Sequence, residues 1–225
     1  MNEPVEALLF DLDDTICEYC RPGSEILDLA FEDVGIEPVF TADDYYAVFE
    51  DHVEDSEDVV ENRERCFAAL AEEAGHDPDV GLAVADAYEA ERDQTNVQWL
   101  PGAQEALDTL RERYAVAAVT NGGPKMQRAK MRGLGIDDHF ETVVFAGYDV
   151  AAKPDPEPFE MALDAVGVGP ERAVKVGNSL KNDVAGAHNA GLRSVWIDRE
   201  GVPNPDPEPH HRIEAMDELL DEPWA

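Results

Sequence analysis

Apolar residues fall along this chain in two rhythms. The runs Leu8-Leu9-Phe10 and Tyr114-Ala115-Val116-Ala117-Ala118-Val119 have no polar side and stop abruptly at polar residues, and Val174-Lys175-Val176 reads as a further strand before a glycine turn. Such runs predict strands covered on both faces of a parallel sheet, whose carboxyl ends gather ligands. From about residue 16 to 98 the spacing becomes helical. Ser24 can cap a helix over Ile26, Leu27, Leu29, Ala30 and Phe31 that Gly35 stops; Thr41 precedes one carrying Tyr45, Tyr46, Val48 and Phe49. Two more are predicted over 58–74 and 79–93, burying Phe67, Leu70, Leu82, Val84 and Tyr88. Trp99-Leu100-Pro101-Gly102 marks the return to the sheet, with a helix over about 103–113. A last helix over about 215–220 packs Met216, Leu219 and Leu220. The pattern describes an α/β protein. Residues 1–15 and 99–225 build a parallel sheet of five or more strands with helices on both faces, and 16–98 form a helical insertion.

Chemistry-bearing residues follow the strands. The first run ends in Asp11-Leu12-Asp13-Asp14-Thr15. Side chains two apart on a strand point the same way, but a turn at the strand's end lets one carboxylate attack while the other moves protons. The second ends in Thr120-Asn121-Gly122-Gly123, a hydroxyl, an amide and glycines suited to gripping an oxyanion, or an ordinary Asn-Gly turn. Lys153, one of five lysines, stands in a loop before Pro154. The third runs through Gly177-Asn178-Ser179 to Asp183, where Asn178 and Asp183 are placed to hold a cation.

These four elements, in this order, resemble the motifs of the haloacid dehalogenase-like hydrolase superfamily. The resemblance covers nearly the whole chain and implies a Rossmann-like core with the insertion as a helical cap. It implies an aspartyl-phosphate on Asp11, with Asp13 as general acid and base. Thr120, the amide group at Asn121 and Gly122 would bind the phosphate, and Lys153 would neutralise charge between it and Asp11. Mg2+ would be held by Asp11, the Asp13 carbonyl, Asn178 and Asp183. Asn178 stands where many members have an acid, so Asp183 is the better direct ligand. Gln127, Lys130 and the Lys153-Pro154 loop look most like the branch of pyrimidine nucleotidases and acylneuraminate or sugar phosphatases. The expected activity is hydrolysis of a small phosphate monoester of the sugar-phosphate or nucleotide class. A sugar-phosphate mutase, or a catalytically weak phosphate-binding regulator, stays open.

Related chemistries are narrowed by the residues. Halide departs without a proton, so Asp13 argues against dehalogenation; a Schiff-base lysine for phosphonates is missing, since no lysine precedes Lys125. In the insertion, Arg21, Arg63 and Arg65 are candidates for a second anionic group, and Tyr19, Tyr45, Tyr46 and Phe49 for a ring or sugar, with pairing and packing the plainer roles.

Charge sets the surroundings. The chain carries 51 acids against 17 bases, a net charge of −34. About 2 to 8 charges suffice for a small soluble domain. This excess repels nucleic acid and anionic membranes and resembles proteins of organisms that accumulate salt. No apolar run approaches the ~20 residues of a membrane span, and Met1-Asn2-Glu3-Pro4 lacks a basic start, so a cytoplasmic enzyme, monomer or homodimer, is expected. Cys17-x-x-Cys20 without a second pair reads as coincidence, and His210-His211 as part of an exposed Pro-rich loop.

Overall fold

The computed structural model describes residues 3–49 and 59–225. The chain divides into two compact units, Met1–Glu18 with Val97–Ala225, and Tyr19–Asn96. Along the chain come β1 (Ala7–Phe10), β2 (Cys17–Tyr19), α1 (Gly23–Val34), α2 (Ala42–Val48), α3 (Val59–Glu73) and α4 (Pro78–Glu91). There follow β3 (Val97–Trp99), α5 (Ala103–Leu110), β4 (Ala115–Thr120), α6 (Pro124–Leu134), β5 (Thr142–Phe145) and α7 (Glu157–Val166). β6 (Ala173–Gly177), α8 (Ala185–Asn189), β7 (Arg193–Ile197) and β8 (His211–Ile213) complete the first unit.

Six strands make one sheet in the order β5-β4-β1-β6-β7-β8, every pairing parallel. The period-two pleat divides its side chains between two cores. Leu8, Phe10, Val116, Ala118, Val174 and Val176 pack with Leu107 of α5 and Met131 of α6. Ala7, Leu9, Ala117 and Val119 pack with Phe159 and Leu163 of α7. Both faces are therefore covered, as the unbroken apolar runs require. Phe10 pairs with Ala118 and with Val176, so β1, β4 and β6 end almost level. That register is what brings the polar residues after each strand together.

The second unit packs α1 to α4 around Phe31, Phe40, Tyr45, Phe67 and Tyr88. The Phe67 ring lies 4.9 Å from that of Phe40 and 5.0 Å from that of Tyr45. Gly35, at φ 79°, ends α1 in the left-handed conformation that glycine adopts freely. Thr41 and Asp44 form a reciprocal capping box on α2.

Four expectations need correction. α1 begins at Gly23 behind Pro22, so Ser24 sits inside the first turn and caps nothing. Leu82 is 39% exposed, because it lies off the buried stripe of Gly81, Val84, Ala85 and Tyr88. α5 stops at Leu110, and the last helix, Met216–Asp221, is 3-10 rather than α, although Met216 and Leu219 are buried as expected. The expected helix start at Asp58 lies outside the described residues. Among the described residues no helix is long and apolar enough to cross a membrane.

Candidate active site

At the level end of the strands the first unit gathers carboxylates and lysines. Asp11 directly follows β1, its N–H still donating to Val176 O at 2.9 Å in the ladder. The chain then turns sharply: Ile16 and Cys17 donate to Leu12 O, and Asp14 takes the left-handed region at φ 55°. This turn separates the two acids of the first motif. Asp11, buried, faces Lys153, while Asp13 faces α6.

Lys153 is the centre of the buried group. Its Nζ lies 2.9 Å from Asp11 Oδ1, 2.7 Å from Asp183 Oδ1 and 3.0 Å from Val119 O, with 4% of the residue exposed. Lys175, wholly buried, adds a second ammonium 3.2 Å from Asp183 and 3.3 Å from Val119 O. Two carboxylates and two ammoniums thus share one water-poor space. Burial raises the Asp11 carboxyl above its ordinary range, with Asp183 adding to the rise, and Lys153 only partly offsets it. Burial opposes ionisation of Asp183 too, but Lys153, Lys175 and the Ser179 N–H together hold it below the ordinary carboxylate range. Those two carboxylates push the Lys153 ammonium upward against burial, while burial pulls Lys175 down to about 8.

The segment carrying Asp183 is built for close approach. Leu180–Val184 is a π-helical turn ahead of α8, a geometry often found at functional sites. A Cβ on Gly177 would lie 2.3 Å from both Cγ and Oδ2 of Asp183, so only glycine lets the carboxylate seat against the end of β6. Asn178 follows, its amide oxygen accepting from the Thr15 hydroxyl at 3.4 Å and its carbonyl from the Trp196 indole at 2.8 Å.

The loop after β4 is tied to the lysine loop. The Asn121 amide donates to Lys153 O at 3.1 Å and accepts from Lys153 N–H at 2.9 Å, so its side chain serves to fix Lys153. Any phosphate contact from Asn121 falls to its main-chain N–H. The buried Thr120 hydroxyl accepts from the Gly122 N–H at 3.2 Å, leaving its own proton to donate. On α6, the Gln127 amide donates to Asp13 Oδ2 at 2.6 Å, and Lys130 pairs with Asp13 Oδ1. Of the motif residues, Asp11, Asn121 and Asp183 are thus each joined to Lys153 by contacts, while Thr120 bonds to Gly122 within its own loop. Two close partners, Lys130 on Asp13 and Lys175 on Asp183, have no role that the sequence alone assigns.

Outside the site, residues of interest are taken by plainer roles. Arg21 pairs with Glu25 and Glu91, Arg65 with Glu61, and buried Arg63 with Glu89 while lying 4.6 Å over the Tyr88 ring. Cys17 is buried, its thiol pushed up to about 12 chiefly by burial, and Cys20 is exposed; neither forms a disulfide among the described residues. His210 meets the Ser194 hydroxyl at 3.0 Å, and His211 opens β8 instead of lying in a loop.

The donors at the strand ends are hard oxygens. Among the described residues no three His, Cys, Asp or Glu side chains converge to form a metal cage. Two carboxylates, an amide oxygen and a main-chain carbonyl fit Mg2+, which takes one or two carboxylates and fills its shell with water and phosphate. A divalent cation would also relieve the repulsion that Asp183 adds to buried Asp11.

The chain resembles known proteins over most of its length. The family model "haloacid dehalogenase-like hydrolase" matches residues 5–191. A phosphoserine phosphatase of Thermus thermophilus is 44% identical over 161 residues, 70% of this chain, and the chain spans 64% of that protein's length. A glyceraldehyde 3-phosphate phosphatase of Methanopyrus kandleri is 31% identical over 229 residues, 96% of each chain. The fold is shared with a magnesium-bound hydrolase of Bacillus subtilis at a TM-score of 0.82 and 24% identity, covering 99% of this chain and 100% of that one.

Proposed function

Since the chain belongs to the haloacid dehalogenase-like hydrolase family, we propose that it hydrolyses small phosphate monoesters through an aspartyl-phosphate on Asp11. The observation that carries this reading is the Lys153 ammonium held at 2.9 Å and 2.7 Å between the buried carboxylates that follow β1 and β6. An isolated buried carboxylate would be a poor partner for a phosphate dianion; one neutralised by a fixed ammonium is not.

In the first step an Asp11 oxygen attacks phosphorus, the ester P–O bond breaks, and the departing alkoxide takes a proton from Asp13. In the second, water attacks phosphorus and gives its proton to Asp13, and the Asp11 carboxylate leaves. The Thr120 hydroxyl, with main-chain N–H groups of Asn121 and Gly122, holds the phosphoryl oxygens. Lys153 and Asp183 keep Asp11 in line, and Lys175 helps hold Asp183. When bound by Asp11, the Asp13 carbonyl, Asn178 and Asp183, Mg2+ supplies charge neutralisation at the phosphoryl group. The names of the relatives support a small hydroxylated or amino-acid phosphate as substrate, and the acidic surface a cytoplasmic setting rich in salt.

Hydrolysis of p-nitrophenyl phosphate in molar KCl is the test. Turnover that needs Mg2+ and releases inorganic phosphate supports the proposal; a folded protein without turnover contradicts it. Phosphoryl transfer to a second sugar hydroxyl without phosphate release would mark a mutase instead.

The charge makes its own prediction. At 1 M salt the Debye length is about 3 Å, so repulsion across a surface of net charge −34 is largely screened. The melting temperature is expected to rise clearly from dilute buffer to molar KCl; equal values in a thermal melt would contradict a salt-adapted chain.

A further inference from the structure

Three of the five lysines in this chain are buried: Lys130, Lys153 and Lys175. The reaction above uses Lys153 at Asp11, and Lys175 holds Asp183. Lys130 belongs to neither carboxylate. It projects from α6 onto Asp13 Oδ1, while Gln127, one turn earlier on the same helix, donates to Asp13 Oδ2 at 2.6 Å. Both oxygens of Asp13 are therefore gripped from one helix. The Asp13 side chain is 39% exposed, whereas Lys130 is 2% and Gln127 0% exposed.

This grip is costly. An ammonium has been taken out of water, and Gln127 Oε1 is buried without a hydrogen-bond partner among the described residues, which costs the desolvation of that oxygen with nothing in return. Methionine would fill either place without that cost, so packing alone does not account for the pair. A third feature serves the same contact. A Cβ on Gly122 would lie 1.8 Å from Gln127 Nε2 and 2.7 Å from its Cδ, so the glycine in the phosphate loop leaves the space through which the amide reaches Asp13.

We propose that Gln127 and Lys130 are positioning residues that fix the Asp13 carboxyl group in the one orientation from which it serves the leaving oxygen, and that Gly122 is required to admit Gln127. This rests on the reading of Asp13 as the proton donor. It has a consequence that a purely structural role lacks. p-Nitrophenolate departs without a proton, whereas phenolate, more basic, gains from one. Loosening Asp13 must therefore penalise phenyl phosphate more than p-nitrophenyl phosphate.

The experiment compares kcat/KM for the two esters, with Mg2+ in molar KCl, across the parent, Lys130→Met, Lys130→Arg, Gln127→Met and Asp13→Ala. For Lys130→Met the loss on phenyl phosphate is expected to exceed that on p-nitrophenyl phosphate by about tenfold or more. Lys130→Arg restores most of it, and Gln127→Met moves in the same direction by a smaller factor. Equal losses on both esters, or none, in Lys130→Met overturn the proposal. Should that variant not fold, Gln127→Met decides by the same comparison. Asp13→Ala separates the two levels: if it discriminates between the esters and the α6 variants do not, the clamp fails and the acid stands. If Asp13→Ala does not discriminate, the acid assignment fails and the clamp falls with it.

Discussion

Asp11→Asn is expected to lower turnover of any phosphate ester by at least about a thousandfold while leaving the protein as stable as the parent, or more so. The loss follows from removing the nucleophile, for which a neutral amide of the same shape does not substitute. The stability expectation comes from the same burial. The Asp11 carboxyl sits above its ordinary range because it is desolvated and faces Asp183, so the folded state prefers it protonated. A group whose folded pKa is raised contributes most below the unfolded value near 3.8 and loses that contribution as pH rises through the folded value. Ionised Asp11 is thus a burden on the fold, kept for chemistry, and asparagine imitates its protonated form. Thermal melts in molar KCl beside activity assays check both halves. A variant that still turns over, or one that melts well below the parent, contradicts the assignment.

Lys153→Met acts on the same group in the opposite sense. It removes the ammonium that touches Asp11 and Asp183 at once and leaves two buried carboxylates with only Lys175 beside Asp183. Removing the cation from between two buried carboxylates costs about 3–5 kcal/mol, on the order of 10 °C in melting temperature for a chain of this size, whereas Asp11→Asn leaves Lys153 paired with Asp183. Activity is expected to fall by about a thousandfold as well, since the phosphoryl group loses its fixed cation. The deficit in stability should depend on pH. With Lys153 gone, one of the paired carboxyls takes a proton more readily, so its folded value rises further above the unfolded one. The deficit is therefore smallest in acid and grows as pH rises through the range where that carboxyl ionises. Melts at several pH values measure this, and adding Asp183→Asn should recover much of the stability and none of the activity. A deficit independent of pH, or a double variant no more stable than Lys153→Met, contradicts the picture of Lys153 as the neutralising group.

Much of the fold and the site is legible in the amino-acid sequence because it is local. Apolar runs buried on both faces mark β1, β4 and β6, and the polar residues that end them lie within a few positions of each strand. Parallel pairing then brings those ends level without further information. What the sequence hides are contacts made across long separations. Lys130 meets a carboxylate 117 positions away and Gln127 the same one at 114, and nothing in the pattern of α6 announces a buried lysine aimed at the strand ends. Lys175 is hidden differently, inside an apolar run where a lysine reads as a lapse in the pattern. Its signal is the scarcity of lysine in the chain. Asn121 shows a third kind of limit: the residue type fits a phosphate ligand, but two hydrogen bonds to the Lys153 backbone use its side chain as a brace. Short helical stretches escape for a simpler reason. A π-helical turn at 180–184 and a 3-10 helix at the end differ from an α-turn by one position in the hydrogen-bond ladder, which apolar spacing over five or six residues does not resolve.

The central claim is that a covalent phosphoryl intermediate forms on Asp11 and that Asp13 is needed for its release. Asp13→Ala should still be phosphorylated by p-nitrophenyl phosphate, whose leaving group needs no proton, yet should hydrolyse the intermediate slowly for want of a base. Acid quenching of that variant during reaction with Mg2+ and p-nitrophenyl phosphate, followed by peptide mass mapping, is the most direct test. The account predicts a phosphoryl group on the peptide carrying Asp11, removed by hydroxylamine as an acyl phosphate is. Release of p-nitrophenol with Asp11 unmodified, or with the phosphoryl group on another residue, would contradict it.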